Sequence, residues 1–234
     1  MEFIMQLSKR LEAVAAMVTE GNRLADIGCD HAHTSIYLAE RGIIPSGIAM
    51  DINKGPLERA KENICRCGFS GQIETRLSDG AKELLPGEVD TILISGMGGG
   101  LTVKILSESR KVVETVKELV LQPQSEIGNV RHYIHELGFR IVEEFMLTED
   151  GKHYTGIRAV KGQECYDKEI FYRFGKLLLE QKNPVLKEFL EYGKESFTKV
   201  TKELSGQAHD RNKERLSELL QELEYMEEAL AYYT

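Results

Sequence analysis

Apolar and polar positions along residues 1–162 alternate with the periods of strands and helices. Short apolar runs, or runs of period two, are separated by amphipathic segments, several of which end at glycine. The predicted strands are 24–30, 46–52, 72–79, 89–96 and 118–123, and the predicted helices are 34–42, 56–68, 99–116 and 126–138. Residues 139–150 and 153–162 predict a closing antiparallel pair of strands. This alternation predicts a Rossmann-like α/β fold with a mostly parallel twisted sheet and helices on both faces.

Residues 163–234 show a different pattern, with almost no strand period and with acids and bases densely interleaved. Apolar residues recur there at spacings of three and four, which is typical of a coiled-coil seam. The seam residues are Leu216, Leu219, Leu223, Met226 and Leu230. We therefore predict two domains, 1–162 and 163–234. The second is a helical, coiled-coil-like appendage, for which an antiparallel hairpin is favoured over a helical cap packed on the sheet domain.

The turn after the first predicted strand departs from a dinucleotide fingerprint. In G-x-G-x-x-G the second glycine lets the backbone approach a pyrophosphate. Here Gly28 holds the first glycine position, but Asp30 stands at the second, where a carboxylate would repel an anion. Asp26 and Asp30 instead suit a cationic ligand, to which they can form charge-assisted hydrogen bonds. The turn favours S-adenosylmethionine, which has a sulfonium and an ammonium group but no phosphate, over a nicotinamide cofactor.

Acids and glycines also follow the other predicted strands. Asp51 comes 23 residues after Gly28, where an acid can bind ribose hydroxyls, and Asp79 follows the third strand, where an acid can accept from adenine. The fourth strand ends in the run 95–100, SGMGGG. These positions share the carboxyl edge of the sheet, where open α/β sheets bind ligands. Each acid alone could be a helix cap, but their coincidence at one edge favours a binding site.

Composition and charge narrow the function further. The net charge of −8 counts against a general nucleic-acid coat but allows a local basic face. No metal site is expected, because the pair His31 and His33 has no third ligand placed by the sequence. His132 and His135 are expected to be solvated. No apolar run reaches the ~20 residues of a membrane span, and the first residues do not resemble a signal peptide, so we expect no membrane association and a cytoplasmic location.

Four segments together resemble one family. They are LSKRL (7–11), ADIGCDHAH (25–33), LISGMGGG (93–100) and LQPQ (121–124), and they are similar to the bacterial TrmK family of tRNA (adenine-N1)-methyltransferases, which act at tRNA position 22. The resemblance covers nearly the whole chain. It implies a class I methyltransferase fold, S-adenosylmethionine as the cofactor and tRNA as the substrate and partner.

The resemblance also implies roles for single residues. Asp26, Gly28, Asp30 and His31 would line the methionine side, and the SGMGGG run would face the methyl group. The predicted cofactor-binding residues are Asp26, Gly28, Cys29, Asp30, His31, Asp51, Ile52, Asp79, Gly80, Ser95, Gly96, Met97 and Gly98. Substituting Asp30 by Ala is expected to cripple cofactor binding.

Adenine N1 carries an in-plane lone pair, so alignment and electrostatic support are expected to matter more than a strong base. The candidates for stabilising the charge that develops on adenine, and hence the predicted catalytic residues, are Asp30, His31, Ser95 and Gly96. The candidates for tRNA contact are Lys9, Arg10, Gln122, Tyr154, Lys187, Lys194, Lys199 and Lys202. A monomer or a weak dimer is expected.

Two alternatives remain open from the residues alone. One is a methyltransferase with the same cofactor site but a small molecule or a protein as acceptor, which an assay of purified tRNA against a small-molecule panel would separate. The other is a non-catalytic module that binds the cofactor and docks through its helical part, which would show no turnover on any RNA.

Overall fold

The computed structural model describes residues 5–205 and 210–234, and the side chains within 205–214 are not described. The chain divides into two compact units, Met1–Cys165 and Tyr166–Thr234. Each unit is described by itself below.

The first unit is built on a seven-stranded sheet in the order β3-β2-β1-β4-β5-β7-β6. Its strands are β1 Leu24–Ile27, β2 Gly47–Asp51, β3 Ile73–Leu77, β4 Thr91–Met97, β5 Glu118–Pro123, β6 Phe139–Glu149 and β7 Lys152–Lys161. Strands β1 to β5 pair in parallel, and β7 runs antiparallel to both β5 and β6. The predicted Rossmann-like sheet and its closing antiparallel pair are confirmed.

Helices flank this sheet. They are α1 Lys9–Ala16, α2 His33–Glu40, α3 Lys54–Arg66, α4 Gly99–Glu108, α5 Arg110–Val113 and α6 Ile127–Glu136. The prediction of one helix over 99–116 was wrong, because Ser109 leaves the helical conformation (φ −115°, ψ 28°) and separates α4 from α5.

Burial explains why the central strands form where they do. Every residue of β1 and β5 is buried, as expected of parallel strands covered on both faces. One buried ion pair lies in this unit: the Arg131 guanidinium of α6 is 2.8 Å from the Glu144 carboxylate of β6, and both side chains are at most 1% exposed. The expectation that His135 is solvated was wrong, since it is buried and its Nε2 lies 3.4 Å from a Glu164 carboxylate oxygen.

The second unit is helical. A single π-helical turn at Phe171–Gly175 leads into α7 Lys176–Glu180, followed by α8 Pro184–Ser205, α9 Asp210–Leu230 and a short 3₁₀ turn, Ala231–Tyr233. Leu219 and Met226 of the predicted seam are buried, and Met226 packs directly against Gly193 of α8. The predicted helical character of this part is confirmed, with α8 and α9 packed against each other. Within the described ranges, no helix combines the length and apolarity needed to cross a bilayer.

Candidate active site

A cleft of about 520 Å³ opens at the carboxyl edge of the sheet. The parallel register of β1, β2 and β4 brings the chain segments after each strand to this edge. Of the predicted cofactor-site residues, those that line the cleft are Asp26, Gly28, Cys29, Asp30, Asp51, Ile52, Asp79, Gly80, Ser95, Gly96 and Met97. His31 and Gly98 are not among the lining residues.

The turn after β1 is tied to the end of β2 and packed against the end of β4. The backbone N–H groups of Gly28 and Cys29 donate to the Met50 carbonyl at 2.8 and 3.0 Å. Gly28 has a φ of 71°, and a Cβ there would lie 2.2 Å from the Met97 Cε. Gly28 is therefore required by the left-handed turn and by its close approach to Met97.

Asp26 is a buried carboxylate in the wall of this cleft. It is 4% exposed, and its Oδ2 accepts a 2.7 Å hydrogen bond from the Ser35 hydroxyl. Burial raises the pKa of Asp26 to about 6; the Ser35 hydrogen bond opposes this rise, and the nearby Asp30 charge adds to it. Among the described residues, no lysine or arginine forms an ion pair with Asp26. The cleft thus presents a buried acid that a cationic ligand would stabilise.

Asp30, by contrast, projects into solvent. Its side chain is 90% exposed, and its Oδ1 lies 3.4 Å from the His31 Nε2. The His31 ring stacks on His33 at 5.6 Å between centroids, and it is His33 that lines the cleft. Burial, and secondarily the charge of His31, lowers the pKa of His33. Asp30, His31 and Ala32 all have positive φ values, so this turn is held in a conformation that is strained for non-glycine residues.

The end of the cleft near β2 and β3 contains an exposed apolar side chain and two hydrogen-bonded acids. Asp51 accepts a 2.7 Å hydrogen bond from the Asn53 backbone N–H, and the adjoining Ile52 is 60% exposed. Lys82 donates a hydrogen bond to Asp79, which lowers the pKa of that carboxyl, and lies 2.9 Å from a Glu108 carboxylate oxygen. Both acids at this end are thereby oriented as hydrogen-bond acceptors.

At the other end, Arg10 reaches from α1 across the ends of β4 and β5. Its Nη1 donates to the Ser95 Oγ at 2.9 Å and to the Gln122 Oε1 at 2.7 Å. We call Arg10, Ser95 and Gln122 the Arg10 network. The guanidinium carbon lies 5.4 Å from the centre of the Tyr154 ring. The structure thus places Arg10 in the cleft wall, with its guanidinium bonded within the protein.

Two glutamines at the end of β5 differ in their exposure to the cleft, and the predicted tRNA contact, Gln122, is the buried one. Gln122 is 1% exposed, so its side chain cannot reach a substrate except through Arg10. Gln124, two residues further on, lines the cleft instead. At the end of β5, the residue that faces the cleft is therefore the one just past the strand.

The glycine run after β4 serves two purposes. Ser95, Gly96 and Met97 face the cleft, as predicted for the first half of the run. A Cβ on Gly99 would lie 2.3 Å from the Ser125 carbonyl oxygen, and the Gly99 N–H lies 3.3 Å from the Ser125 Oγ that accepts its hydrogen bond. The second half of the run therefore lets α4 begin against the loop that follows β5.

The predicted tRNA-contact lysines divide between the two units. Lys9 is exposed at the start of α1 in the first unit. In the second, Lys194 pairs with Glu227 at 2.9 Å and Lys187 with Glu191 at 3.7 Å. A groove of about 640 Å³ on that unit has mixed charge and is lined by Glu191, Lys194, Glu195, Thr198, Lys199, Lys202 and Leu230.

Several lining residues were absent from the predicted site: Leu11, His33, Thr34, Asn53, Ser78, Leu101, Ile105 and Gln124. The sequence positions of some of these residues could have indicated that they line the site. Ser78 and Asn53 lie within two residues of predicted strand-end acids, and Leu101 and Ile105 share one face of α4 at a spacing of four. The sequence shows His33 only as the second member of a possible metal-binding pair with His31. Among the described residues, no cluster of three or more His, Cys, Asp or Glu side chains could hold a metal ion.

Comparison with known proteins adds to this geometry. A family model described as a methyltransferase domain matches residues 7–157. The chain is 32% identical over 234 residues to the tRNA (adenine(22)-N(1))-methyltransferase of Bacillus subtilis (strain 168), covering 97% of this chain and 98% of that protein.

Two solved structures are similar to this chain over nearly its whole length. The crystal structure of the B. subtilis tRNA methyltransferase TrmK is similar with a TM-score of 0.89 and 29% identity, covering 97% of this chain and 99% of that one. M. capricolum TrmK, solved in complex with S-adenosyl-homocysteine, is similar with a TM-score of 0.84 and 26% identity, covering 97% of this chain and 98% of that one.

Proposed function

Because the chain belongs to the TrmK family of bacterial tRNA methyltransferases, we propose that it transfers the methyl group of S-adenosylmethionine to N1 of the adenine at position 22 of tRNA. The observation that carries this proposal is the buried Asp26 carboxylate, which lines a cleft at the carboxyl edge of a Rossmann-like sheet and lacks a cationic partner among the described residues. Such a site fits a cationic cofactor and disfavours a pyrophosphate.

The residues along the cleft fit the parts of this cofactor in order. We assign the ammonium group to Asp26, with Asp30 contributing from the solvent side. Asp51 accepts from the ribose hydroxyls, and Asp79 from the adenine amine. Ile52 and Leu101, which are 60% and 49% exposed, supply the apolar surfaces on which a purine packs.

Ser95, Gly96 and Met97 lie opposite these acids and form the wall where the acceptor base meets the methyl group. When bound, S-adenosylmethionine supplies an electrophilic methyl carbon on its sulfonium. N1 lies on the Watson–Crick edge of adenine, so a paired target must be extruded before it reaches this wall. The protein's task is to hold that base in line, while Asp30 and the carbonyl groups near Ser95 support the positive charge that develops on it.

Each unit is proposed to contribute its own tRNA contacts, Lys9 of α1 in the first unit and the lysines of α8 in the second. Tyr154, on β7, offers a ring close to Arg10 on which a base could stack. Lys199 and Lys202 are exposed and are the members of the α8 group proposed to contact phosphate. Their contribution should appear as a salt-dependent loss of tRNA affinity when each is replaced by alanine.

The identity of the product tests this proposal. The purified chain, incubated with methyl-labelled S-adenosylmethionine and unmodified tRNA, should yield labelled 1-methyladenosine after digestion to nucleosides. Heat-denatured protein is the control. Label in another nucleoside, or label found only with small-molecule or protein acceptors, would contradict the assignment of adenine N1.

Cofactor affinity is expected to depend on pH between 5 and 7. The pKa of Asp26 is about 6 without ligand, and a bound ammonium group would lower it. Binding therefore favours the ionised acid, so the affinity should rise with pH up to about 6 and level off above, with a slope of at most about tenfold per pH unit. Protonation of His33 at low pH would act in the same direction.

Calorimetry of S-adenosylmethionine binding across this range measures the effect. The variant Ser35→Ala loses the hydrogen bond that lowers the pKa of Asp26. The pH at which its cofactor affinity levels off should therefore move above 6. If His33 caused the pH dependence, that pH would be the same in the variant and the wild type. A dissociation constant that does not change between pH 5 and 7 would argue against Asp26 as the ammonium partner.

A further inference from the structure

The Arg10 network joins parts of the first unit that are distant in sequence. The Arg10 backbone N–H donates to the Glu149 Oε1 on β6 at 3.3 Å, and its guanidinium reaches Ser95 on β4 and Gln122 on β5. These contacts span 85 to 139 residues of chain. Arg10 thus ties the first helix to β6 through its backbone and to β4 and β5 through its side chain.

The hydrogen bonds of the Arg10 network fix the Ser95 side chain. A guanidinium only donates, so Ser95 Oγ and Gln122 Oε1 act as acceptors for the two hydrogens of Nη1. The Ser95 hydroxyl also lies 3.3 Å from Gln122 Oε1. Arg10 and Gln122 together therefore set the position of the Ser95 side chain.

The next residue, Gly96, lies beside the Arg10 guanidinium and the Gln124 amide. It has a φ of 81°, and the position of a Cβ there is 3.8 Å from the Arg10 Nη1 and 3.8 Å from the Gln124 Nε2. The guanidinium and the Gln124 amide flank this left-handed turn, which lines the cleft. The Arg10 guanidinium therefore borders the backbone of this wall, beside the Ser95 side chain to which it donates.

Withdrawing Arg10 to contact a phosphate would have a clear cost. Gln122 is 1% exposed and accepts its 2.7 Å bond from Arg10. Without that donor its buried carbonyl would keep only the 3.3 Å contact with Ser95, and an unsatisfied buried acceptor is unfavourable. Lys9 is exposed on the same helix and is free of this constraint.

We propose that Arg10 is a positioning residue for methyl transfer, which acts through Ser95 and Gln122 to fix the Ser95–Gly96 wall against which the acceptor base is aligned. This inference rests on the proposed methyltransferase function. It predicts that Arg10 contributes to turnover of the bound complex rather than to the affinity for tRNA.

The test measures kcat at saturating tRNA and cofactor, together with both dissociation constants, for Arg10→Met and Gln122→Met. We expect Arg10→Met to lower kcat by about 100-fold, the size of effect that a misplacement of about 1 Å produces. Both dissociation constants should stay within about threefold. Gln122→Met should lower kcat by about tenfold or more, and the double variant should be no slower than Arg10→Met, because both act through one unit.

Arg110→Met is the matched control, since it removes an exposed arginine of α5 that pairs with the exposed Glu114 at 3.3 Å, and it should keep wild-type kcat. The proposal is overturned if Arg10→Met turns over at the wild-type rate but binds tRNA more weakly. In that case the slope of log affinity against log salt concentration should fall by about one, as for the loss of one phosphate contact. Should Arg10→Met fail to bind cofactor, a wild-type kcat for Gln122→Met overturns it. A wild-type protein that methylates no tRNA would contradict the proposed function instead.

Discussion

Replacing Asp26 by asparagine is expected to weaken S-adenosylmethionine binding by at least about 100-fold while making the unliganded protein more stable. The loss corresponds to about 2.7 kcal/mol, the range for a charge-assisted hydrogen bond in a buried site. The gain in stability has the same cause, because the Asp26 carboxylate is buried without a counter-cation among the described residues.

The sign of the stability change follows from the pKa. Asp26 has a folded-state pKa of about 6 against an ordinary value of 3.8, so the unfolded chain releases the proton first as the pH rises. Above pH 6 the ionised acid therefore costs the unliganded fold about 3 kcal/mol. Asparagine removes the charge and keeps a hydrogen-bond partner for Ser35, so the melting temperature should rise by several degrees.

Thermal unfolding with and without cofactor, together with calorimetry, measures both effects. Asp30→Asn is the matched control, because the Asp30 side chain is 90% exposed and screened interactions at exposed sites are weak. It should lower cofactor affinity by less than about tenfold. This ranking differs from the sequence-based expectation that substituting Asp30 cripples cofactor binding, and the two variants decide between them. An Asp26→Asn variant that binds cofactor as tightly as the wild type would contradict the site.

Replacing Gly99 by alanine is expected to lower both stability and methylation, although Gly99 does not line the cleft. The added Cβ would lie 2.3 Å from the Ser125 carbonyl oxygen and 2.9 Å from the Glu126 carbonyl oxygen. Both are backbone atoms, so either the start of α4 or the loop after β5 must move. We expect a cost of about 2–3 kcal/mol and a fall in kcat of about 100-fold, since these segments carry Met97 and Gln124.

Gly100→Ala is the control for this prediction. A Cβ there would meet the Glu126 Oε2 at 3.0 Å, which is the end of a flexible side chain, and alanine favours the helix. It should keep wild-type melting and activity. If Gly99→Ala and Gly100→Ala behave alike in denaturant unfolding and in turnover, close backbone packing is not what the second half of the glycine run provides.

The central strands of the sheet could be predicted because their apolar runs are buried, at every position of β1 and β5 and at the first four positions of β2 and β4. The run 118–123 is β5 to the residue, with all six positions buried. The run 24–30 ends early at Ile27, since the chain turns left-handed at Gly28 and again at Asp30. Apolar periodicity carries no information on such turns.

The acids of the candidate site could also be predicted, because parallel topology brings the ends of neighbouring strands to one edge. Asp26, Asp51 and Asp79 all line the cleft. The degree of burial of each acid could not be predicted. Burial of Asp26 and exposure of Asp30 depend on packing by α2, whose Ser35 contacts only the former.

The Arg10 network had no local signal. Arg10 and Gln122 are 112 positions apart, and both are polar residues that a sequence places at the surface. Only the assembled sheet shows that one is bonded within the protein and the other is buried. The same reason accounts for His135, whose burial depends on contact with residues far along the chain.

The central claim is that this chain methylates one adenine of tRNA with S-adenosylmethionine. The most direct measurement uses two transcripts of one tRNA that differ only in carrying adenine or guanine at position 22, each incubated with methyl-labelled cofactor. The account predicts close to one methyl group per molecule of the adenine transcript, recovered as 1-methyladenosine, and none on the guanine transcript. Equal labelling of the two transcripts, or no labelling of either by protein that binds the cofactor, would contradict it.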